Sequence, residues 1–237
     1  MTRGAPVMRP VIAVTGLSLE ARIAAGPGVR AIAGGGDVPA LAAALELAIA
    51  EGARAVMSFG IAGGLADDLA CGTWFIARAI VTSSTRWPCD PAWQRLLAAR
   101  LPGARSADLA GVDVPVGEPA GKRALHRATL AAAVDTESHV AAALAAAHGL
   151  PFVAFRVIAD SARRMLPPAA LAGLAADGGI RTAAVLASLA RAPSQLPSLL
   201  RTAIDTRIAL RALSRGRRLL GPGLAYPDRG ELLLDVL

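Results

Sequence analysis

Three carboxylates that are far apart in the sequence are candidates for acid–base chemistry: Glu20, Glu137 and Asp160. Taken singly, each could be a solvated acid or a helix cap. Glu137 is harder to explain in this way, because Asp135 or Thr136 already suffices to cap the alanine-rich helix that begins there. Together, three such acids can donate or accept protons and can stabilise a developing positive charge.

Strands that alternate with helices must position these acids. The segments PVIAVTG, VRAIAGGG and RAVMSFGIAGGL are typical of strands that end in glycines, and LSLEARIAA and ALAAALELAIAEG of helices. Residues 73–83 and 151–159 complete the predicted strands, and 169–191 are predicted to be helical. The Pro- and Gly-rich region 86–121 is predicted to hold a short helix over about 91–101, with room for a hairpin. This alternation predicts an α/β fold with a mostly parallel sheet, whose strands carry the ligand site at their carboxyl ends.

The composition limits the kind of protein this can be. With 237 residues, of which 54% are hydrophobic, the chain can form one large core. Its apolar runs are shorter than the roughly 18 residues that cross a bilayer, and we see no signal peptide, so we expect a cytoplasmic protein. Cys71, Cys89 and the three histidines lack ligand spacing, which predicts neither a metal site nor a disulfide. Only 3% of residues are aromatic, which argues against nucleic-acid binding despite a net charge of +7.

The glycine cluster at 60–64, GIAGG, lies at the same predicted edge as the acids. Its spacing is not that of G-x-G-x-x-G, and no P-loop lysine follows, so dinucleotide and ATP binding are not indicated. A glycine turn after a buried strand usually reflects tight packing. Here it also brings closely approaching backbone to the three carboxylates.

Two segments together, SFGIAGGL and AVDTESHVAAALAAAHGLPFVAFRVIADSA, resemble the signature of the nucleoside phosphorylase and 5′-methylthioadenosine/S-adenosylhomocysteine nucleosidase superfamily. Its members carry a G-[ST]-A-G-G-L loop, a V-x-M-E-[SA] segment and an R-x-I-S-D-x-A strand end, and the match spans most of residues 10–190. GLSLEARIA, the threonine of VDTES and the arginine-rich tail resemble the hopanoid-associated branch, which is assigned to removing adenine from adenosylhopane. The resemblance implies a three-layer fold with a central, mostly parallel mixed sheet flanked by helices. It implies no cofactor, with phosphate as a co-substrate if the reaction is phosphorolysis.

The resemblance also gives each acid a role that the chemistry justifies. Cleavage of an N-glycosidic bond builds positive charge on the ribose and negative charge on the departing base, so an acid is needed near the purine N7. By resemblance this acid is Asp160, while Glu137 binds the ribose hydroxyls and Glu20 positions or deprotonates the attacking water. The further substrate contacts that the resemblance implies are Thr136, Ile61, Ala62, Gly63 and Phe152.

Two residues depart from the family pattern. Ile61 stands where many relatives have Ser or Thr, so it cannot donate a hydrogen bond to phosphate and would instead form an apolar wall for a greasy 5′ substituent. Thr136 replaces the usual methionine. Phosphorolysis needs a cation for the phosphate dianion, and the candidates are Arg22 and Arg156, with Gly16 in the first turn. Each arginine is equally well explained as a surface charge or an internal ion pair, so water and phosphate both remain open as nucleophiles.

The sequence divides into a predicted catalytic domain, 1–192, and a basic helical tail, 193–237. Between Leu196 and Leu220, six arginines face one acid, so 6 − 1 = +5 of the net charge of +7 lies in this segment. If residues 197–219 are helical, four of the arginines form one stripe: Arg207, Arg211, Arg215 and Arg218. Such a helix either packs on the domain or docks on an anionic membrane surface, which would place the protein at the inner face of the membrane.

Three functional hypotheses follow. The most specific is cleavage of adenosylhopane, a lipid-linked nucleoside, with release of adenine. The second is a soluble nucleosidase for methylthioadenosine or S-adenosylhomocysteine. The third is an inactive membrane-peripheral binding protein of the same fold. By resemblance we expect a homodimer, because a neighbouring chain commonly helps to form the pocket in relatives.

Overall fold

The computed structural model describes residues 9–173, 175, 178–179 and 181–227. Within these ranges a central mixed sheet of eight strands is flanked by helices, which confirms the predicted fold class. The strands are β1 (Val11–Thr15), β2 (Val29–Ala33), β3 (Ala55–Gly64), β4 (Trp74–Val81), β5 (Arg86–Pro88), β6 (Arg105–Gly111), β7 (Ala133–Asp135) and β8 (Phe152–Asp160). The helices are α1 (Ser18–Ala24), α2 (Val38–Ala50), α3 (Pro91–Arg100), α4 (Pro119–Thr129), α5 (Ser138–Ala147), α6 (Pro168–Ala172), α7 (Thr182–Arg191) and α8 (Leu196–Leu220).

The strand pairing closes part of the sheet into a ring. Strand β1 pairs in parallel with β2 and β3, and β3 pairs in parallel with β8. The far end of β3 pairs antiparallel with β7, which continues in parallel through β6 to β4. Strand β4 then pairs antiparallel with β8 and with the short β5. Five of these eight pairings are parallel, as the alternation of strands and helices predicts.

Strands β3 and β8 form the centre of the core and carry the site at one end. Every residue of β8 is buried, as expected for an apolar run that is covered on both faces. The rings of Phe59 and Phe155 lie 5.7 Å apart between the two strands. A register shift at Ala62 and Gly63 brings Gly63 opposite Asp160, so the glycine turn and the last acid of β8 meet at the same edge.

Two regions differ from the sequence-based expectation. The helix predicted over 169–191 is in fact two helices, α6 and α7, because Gly173 ends the first and Gly178 has a left-handed φ of 75°. The region 86–121 contains an interior strand of the sheet, β6, and the first turn of α4, in addition to the predicted helix. The sequence of β6, RSADLAG, has neither strand alternation nor an apolar run, which is why its pattern did not reveal it.

Helix α8 packs on the sheet along one buried face that includes Ala209, Leu213, Gly216 and Leu220. A Cβ at Gly216 would lie 2.7 Å from Phe155, so this glycine lets the helix approach β8 closely. The indole of Trp74 also donates a 2.9 Å hydrogen bond to the carbonyl of residue 212. The predicted boundary after residue 192 falls at a short 3-10 turn, Pro193–Gln195, from which α8 returns to the domain. In the part of the chain that the structure describes, no helix combines the length and apolarity that crossing a membrane requires.

Candidate active site

The structure brings Glu20, Glu137 and Asp160 to one cavity at the carboxyl edge of β3 and β8. This inner cavity has a volume of about 180 Å³. The three acids come from α1, the start of α5 and the end of β8, and they are only 1%, 5% and 9% exposed. Five further residues singled out in the sequence also line it: Gly16, Ile61, Ala62, Gly63 and Thr136.

Glu20 is held by backbone donors from two separate segments. Its Oε2 accepts from the N–H groups of Gly16 and Leu17, at 2.9 and 2.8 Å, at the start of α1. Its Oε1 accepts from the N–H of Ile61, at 2.8 Å, on β3. Burial raises the pKa of Glu20 to about 7, although the neighbouring Arg156 guanidinium opposes the shift. The carboxylate therefore changes its protonation state near neutral pH while its position is fixed.

Glu137 belongs to a buried ionic network around Arg156. One nitrogen of the fully buried guanidinium lies 2.6 Å from Asp135 Oδ2, and another donates to Glu137 Oε2 at 3.2 Å. Thr136 donates its hydroxyl to the other oxygen of Glu137. Burial raises the pKa of Glu137 above its ordinary value, and Arg156 opposes this. Asp135 also caps α5 by accepting the N–H of Ser138 at 3.0 Å, as the sequence suggested.

Two glycines make room for these acids. A Cβ at Gly60 would lie 2.6 Å from the Arg156 guanidinium and 2.8 Å from the Glu20 carboxyl, and its φ is 156°. A Cβ at Gly16 would lie 2.9 Å from Glu137 Oε1. Gly16 and Gly60 are therefore required by the close packing of these carboxyl and guanidinium groups.

Asp160 is paired with a lysine that the sequence analysis did not single out. Lys122, on α4, is fully buried, and its ammonium group contacts Asp160 Oδ2. The ammonium also donates to the carbonyls of Ser161 and Arg164, at 2.9 and 3.2 Å. Burial raises the pKa of Asp160 above its ordinary value, while Lys122 pulls it down.

One signal could have revealed Lys122: it is the only lysine among 25 basic residues, the others being arginines. Arginine stays charged in proteins, whereas a buried lysine can exchange its proton. The network partners Ser58 and Ser138, which contact Arg156 and each other, carried no comparable signal.

Two residues proposed as ligand contacts do not reach the cavity. Phe152 is buried at the opposite end of β8 from Asp160, about 26 Å along the strand at about 3.3 Å per residue. Arg22 is exposed on α1 and does not line the cavity. Arg156, the other phosphate candidate, is enclosed by acids and serines. Its internal ion pairs are one of the two interpretations that the sequence left open.

The inner cavity continues into a larger outer cavity of about 920 Å³, bounded by α1, α6, α7 and α8. Six residues line both cavities: Leu17, Ile61, Pro115, Ala159, Asp160 and Leu166. The walls of the outer cavity are mainly aliphatic, and they include Ile23, Leu171, Val185, Leu199 and Leu210. Ile61 therefore lies at the junction between the acidic inner cavity and the apolar outer cavity.

The arrangement suits bond cleavage by proton transfer. All three acids that line the cavity, Glu20, Glu137 and Asp160, have pKa values raised by burial. Arg156 opposes the shift at Glu20 and Glu137, and Lys122 opposes it at Asp160. Among the described residues, no group of three or more His, Cys, Asp or Glu side chains is arranged to hold a metal ion.

Residues 10–205 match the sequence profile of the Phosphorylase superfamily. The fold resembles an S-adenosylhomocysteine nucleosidase from Streptococcus pyogenes, with a TM-score of 0.63 and 14% identity over 92% of this chain and 100% of that one. It also resembles the futalosine hydrolase of Helicobacter pylori, with a TM-score of 0.64 and 14% identity over 93% of this chain and 99% of that one. A comparison with curated protein sequences gave no significant match.

Proposed function

Because the chain belongs to the phosphorylase superfamily, we propose that it cleaves the N-glycosidic bond of a 5′-modified adenosine and releases adenine. The observation that carries the proposal is the cavity shared by Glu20, Glu137 and Asp160, three buried acids from separate elements. Two of the structural neighbours are named as an S-adenosylhomocysteine nucleosidase and a futalosine hydrolase, and a nucleosidase activity agrees with this chemistry.

The departing base gains negative charge, and Asp160 is the acid proposed to protonate it at N7. Burial raises the pKa of Asp160 and so favours its protonated form, while the adjacent Lys122 ammonium contacts the same carboxyl and limits the shift. Glu137 stabilises the positive charge that develops on the ribose and accepts hydrogen bonds from its hydroxyls. Glu20, with a pKa of about 7, removes a proton from the nucleophile near neutral pH.

We propose water as this nucleophile. No arginine or lysine is found among the described residues that line the inner cavity, so a phosphate dianion would lack a counter-charge there. The N–H of Gly16 is already donated to Glu20, and Arg156 is already paired with Asp135 and Glu137. Hydrolysis needs only a positioned base, which Glu20 supplies.

The volume and aliphatic walls of the outer cavity favour a substrate with a large apolar 5′ substituent. A ribose bound at Glu137 beside Asp160 would direct its 5′ group past Ile61, which lines both cavities. A space of about 920 Å³ with mainly aliphatic walls is far larger than a methylthio group requires. A triterpenoid substituent, as in adenosylhopane, fits this size and chemistry, and we propose adenosylhopane as the substrate and hopanoid biosynthesis as the context.

The test measures free adenine after incubation of the purified chain with adenosylhopane, methylthioadenosine or S-adenosylhomocysteine, each with and without phosphate. We expect release from adenosylhopane without phosphate. Asp160→Asn keeps the shape of the side chain but not its acid, and should lower kcat by about 10²- to 10⁴-fold. Strict dependence on phosphate would instead establish phosphorolysis.

The same assay separates the alternatives. Faster turnover of methylthioadenosine or S-adenosylhomocysteine would identify a soluble nucleosidase, the activity named for the streptococcal neighbour. Failure to release adenine from any of these nucleosides would refute the proposed function and favour an inactive binding protein.

A further inference from the structure

Helix α8 exposes a surface that is both basic and apolar, here called the outer face of α8. Five of the large hydrophobic side chains that the described residues leave exposed belong to it: Leu196, Leu200, Ile204, Ile208 and Leu219. Five exposed arginines lie among them: Arg201, Arg207, Arg211, Arg215 and Arg218. The first four apolar residues follow one another at intervals of four, so they share one side of the helix. The arginine stripe expected from the sequence is thus interleaved with leucine and isoleucine.

The remaining charged residues of α8 point away from this face. Arg217 donates to the carbonyls of Ala24 and Gly221, at 2.8 and 2.7 Å, and so helps to fix the helix on the domain. Asp205, the only acid in the helix sequence, pairs with Arg164 at 3.0 Å and lines the outer cavity. The outer face therefore carries five positive charges and no acid of its own helix.

We propose that the outer face of α8 docks on an anionic lipid bilayer. Arginines attract acidic headgroups, and the leucine and isoleucine side chains between them can enter the boundary between headgroups and acyl chains. A second copy of the chain is a poorer occupant, because pairing two such faces would bring ten arginines together. The apolar residues distinguish the face from an ordinary solvated helix surface, on which they would have no favourable contact.

The position of the outer cavity strengthens this assignment. Arg207 and Arg211 are exposed on the outer face and also line the outer cavity, so the cavity reaches the surface beside the proposed docking site. An apolar group in the bilayer would then have a short path into the protein that avoids water. Docking is nevertheless a property of the surface, and it can be tested without any nucleoside.

The experiment measures co-sedimentation of the full chain with vesicles. One set contains equal parts of phosphatidylglycerol and phosphatidylcholine, and the other contains phosphatidylcholine alone. We expect binding to the anionic vesicles, weakened by added salt, and little binding to the neutral ones. No binding to either set, or equal binding to both, would overturn the proposal.

Paired variants separate the two contributions of the face. Arg201→Gln with Arg218→Gln removes two charges that do not line either cavity, and should weaken binding to anionic vesicles by about thirtyfold. The matched control is Arg95→Gln with Arg127→Gln, two exposed arginines on α3 and α4, which should bind within about twofold of the unmodified chain if only charges near the headgroups count.

Leu200→Ser with Ile204→Ser tests the apolar part, since these side chains are 57% and 60% exposed and support no core. We expect about tenfold weaker binding at fixed salt. The control is Leu47→Ser with Leu130→Ser, which are exposed on other elements. Equal losses in face and control variants would contradict the proposal, as would a change of oligomeric state in the face variants without any vesicle binding, which would assign the face to a second copy. Because no nucleoside is present, either result leaves the adenine-release assay to judge the proposed function independently.

Discussion

Lys122 and Asp160 form the most unusual contact in the site, because a fully buried ammonium faces the acid that is proposed to protonate the base. A buried lysine is costly unless it is paired, and here the carboxyl and two carbonyls satisfy its three donors. The contact places a positive charge directly against the Asp160 carboxyl. Its arrangement therefore bears on the pH at which Asp160 is available as an acid.

Replacing Lys122 with methionine should change the pH dependence of the reaction. Lys122 lowers the pKa of Asp160, so its removal should raise that pKa further, and Asp160 should stay protonated to higher pH. We expect the alkaline limb of the kcat/KM profile to move to higher pH. The unpaired carbonyls of Ser161 and Arg164 should also lower the free energy of unfolding by about 1–3 kcal/mol.

Arg123→Met is the matched control, because this neighbour of Lys122 on α4 is exposed. If Lys122→Met still folds and its alkaline limb does not move, Lys122 does not control the pKa at which Asp160 acts. Thermal unfolding of both variants separates this result from a loss of structure.

Ionisation of Glu20 should set the acid limb of the same kcat/KM profile. As a base it must be ionised, and with a pKa of about 7 it loses a growing share of its charge as pH falls below that value. We expect kcat/KM to rise with pH up to about 7, by about tenfold per unit below it, and Glu20→Gln to abolish this dependence.

The glutamine variant also places an amide group where backbone N–H groups now donate, so its melting temperature should be measured alongside. Glu46→Gln, at an exposed hydrogen bond with His148, serves as the control and should leave the profile unchanged. An acid limb that persists in Glu20→Gln would assign the pKa near 7 to another group.

At the scale of elements, α8 serves both as a core helix and as a wall of the outer cavity. Its buried side packs on β8 through Gly216 and Leu213, while Leu199, Ala203 and Leu210 face the cavity. A change in the lining of this helix should therefore alter which 5′ groups are accepted without moving the three acids, which belong to other elements.

Ala203→Trp tests that expectation by filling part of the outer cavity. We expect kcat/KM for a nucleoside with a large apolar 5′ group to fall by about tenfold or more relative to methylthioadenosine, because the smaller substituent does not need the space. Ala98→Trp, at an exposed position on α3, should leave the ratio of the two substrates unchanged. A ratio that also stays constant in Ala203→Trp would mean that the 5′ group lies elsewhere.

At the scale of the whole molecule, the sequence predicted those parts of the fold that carry strong local patterns. The strands β1, β3 and β8 are apolar runs ended or followed by Gly or Asp, so their existence and the edge at which the acids lie followed from the alternation of strands and helices. The parts of the fold that the sequence did not predict are those whose structure depends on tertiary contacts. Strand β6 has no periodic pattern of its own and is stabilised by β4 and β7 on either side.

The same distinction applies to the site. The sequence singled out Glu20, Glu137 and Asp160 through their places beside predicted elements. It did not reveal that Lys122 would meet Asp160 across 38 residues, since the ring of strands that places α4 against the end of β8 is visible only in three dimensions. The role of Arg156 also depended on whether its side chain is buried. The sequence of an apolar strand that contains one arginine does not show this.

The sealed position of Lys122 has a consequence for covalent chemistry. The chain offers amine-directed reagents a single side-chain amine, and that amine is enclosed behind Asp160 with no exposed surface. Label on its ε-nitrogen would therefore mark molecules in which the structure around Lys122 had opened. The labelling rate would measure how often the protein opens locally beside Asp160, where the purine is proposed to leave.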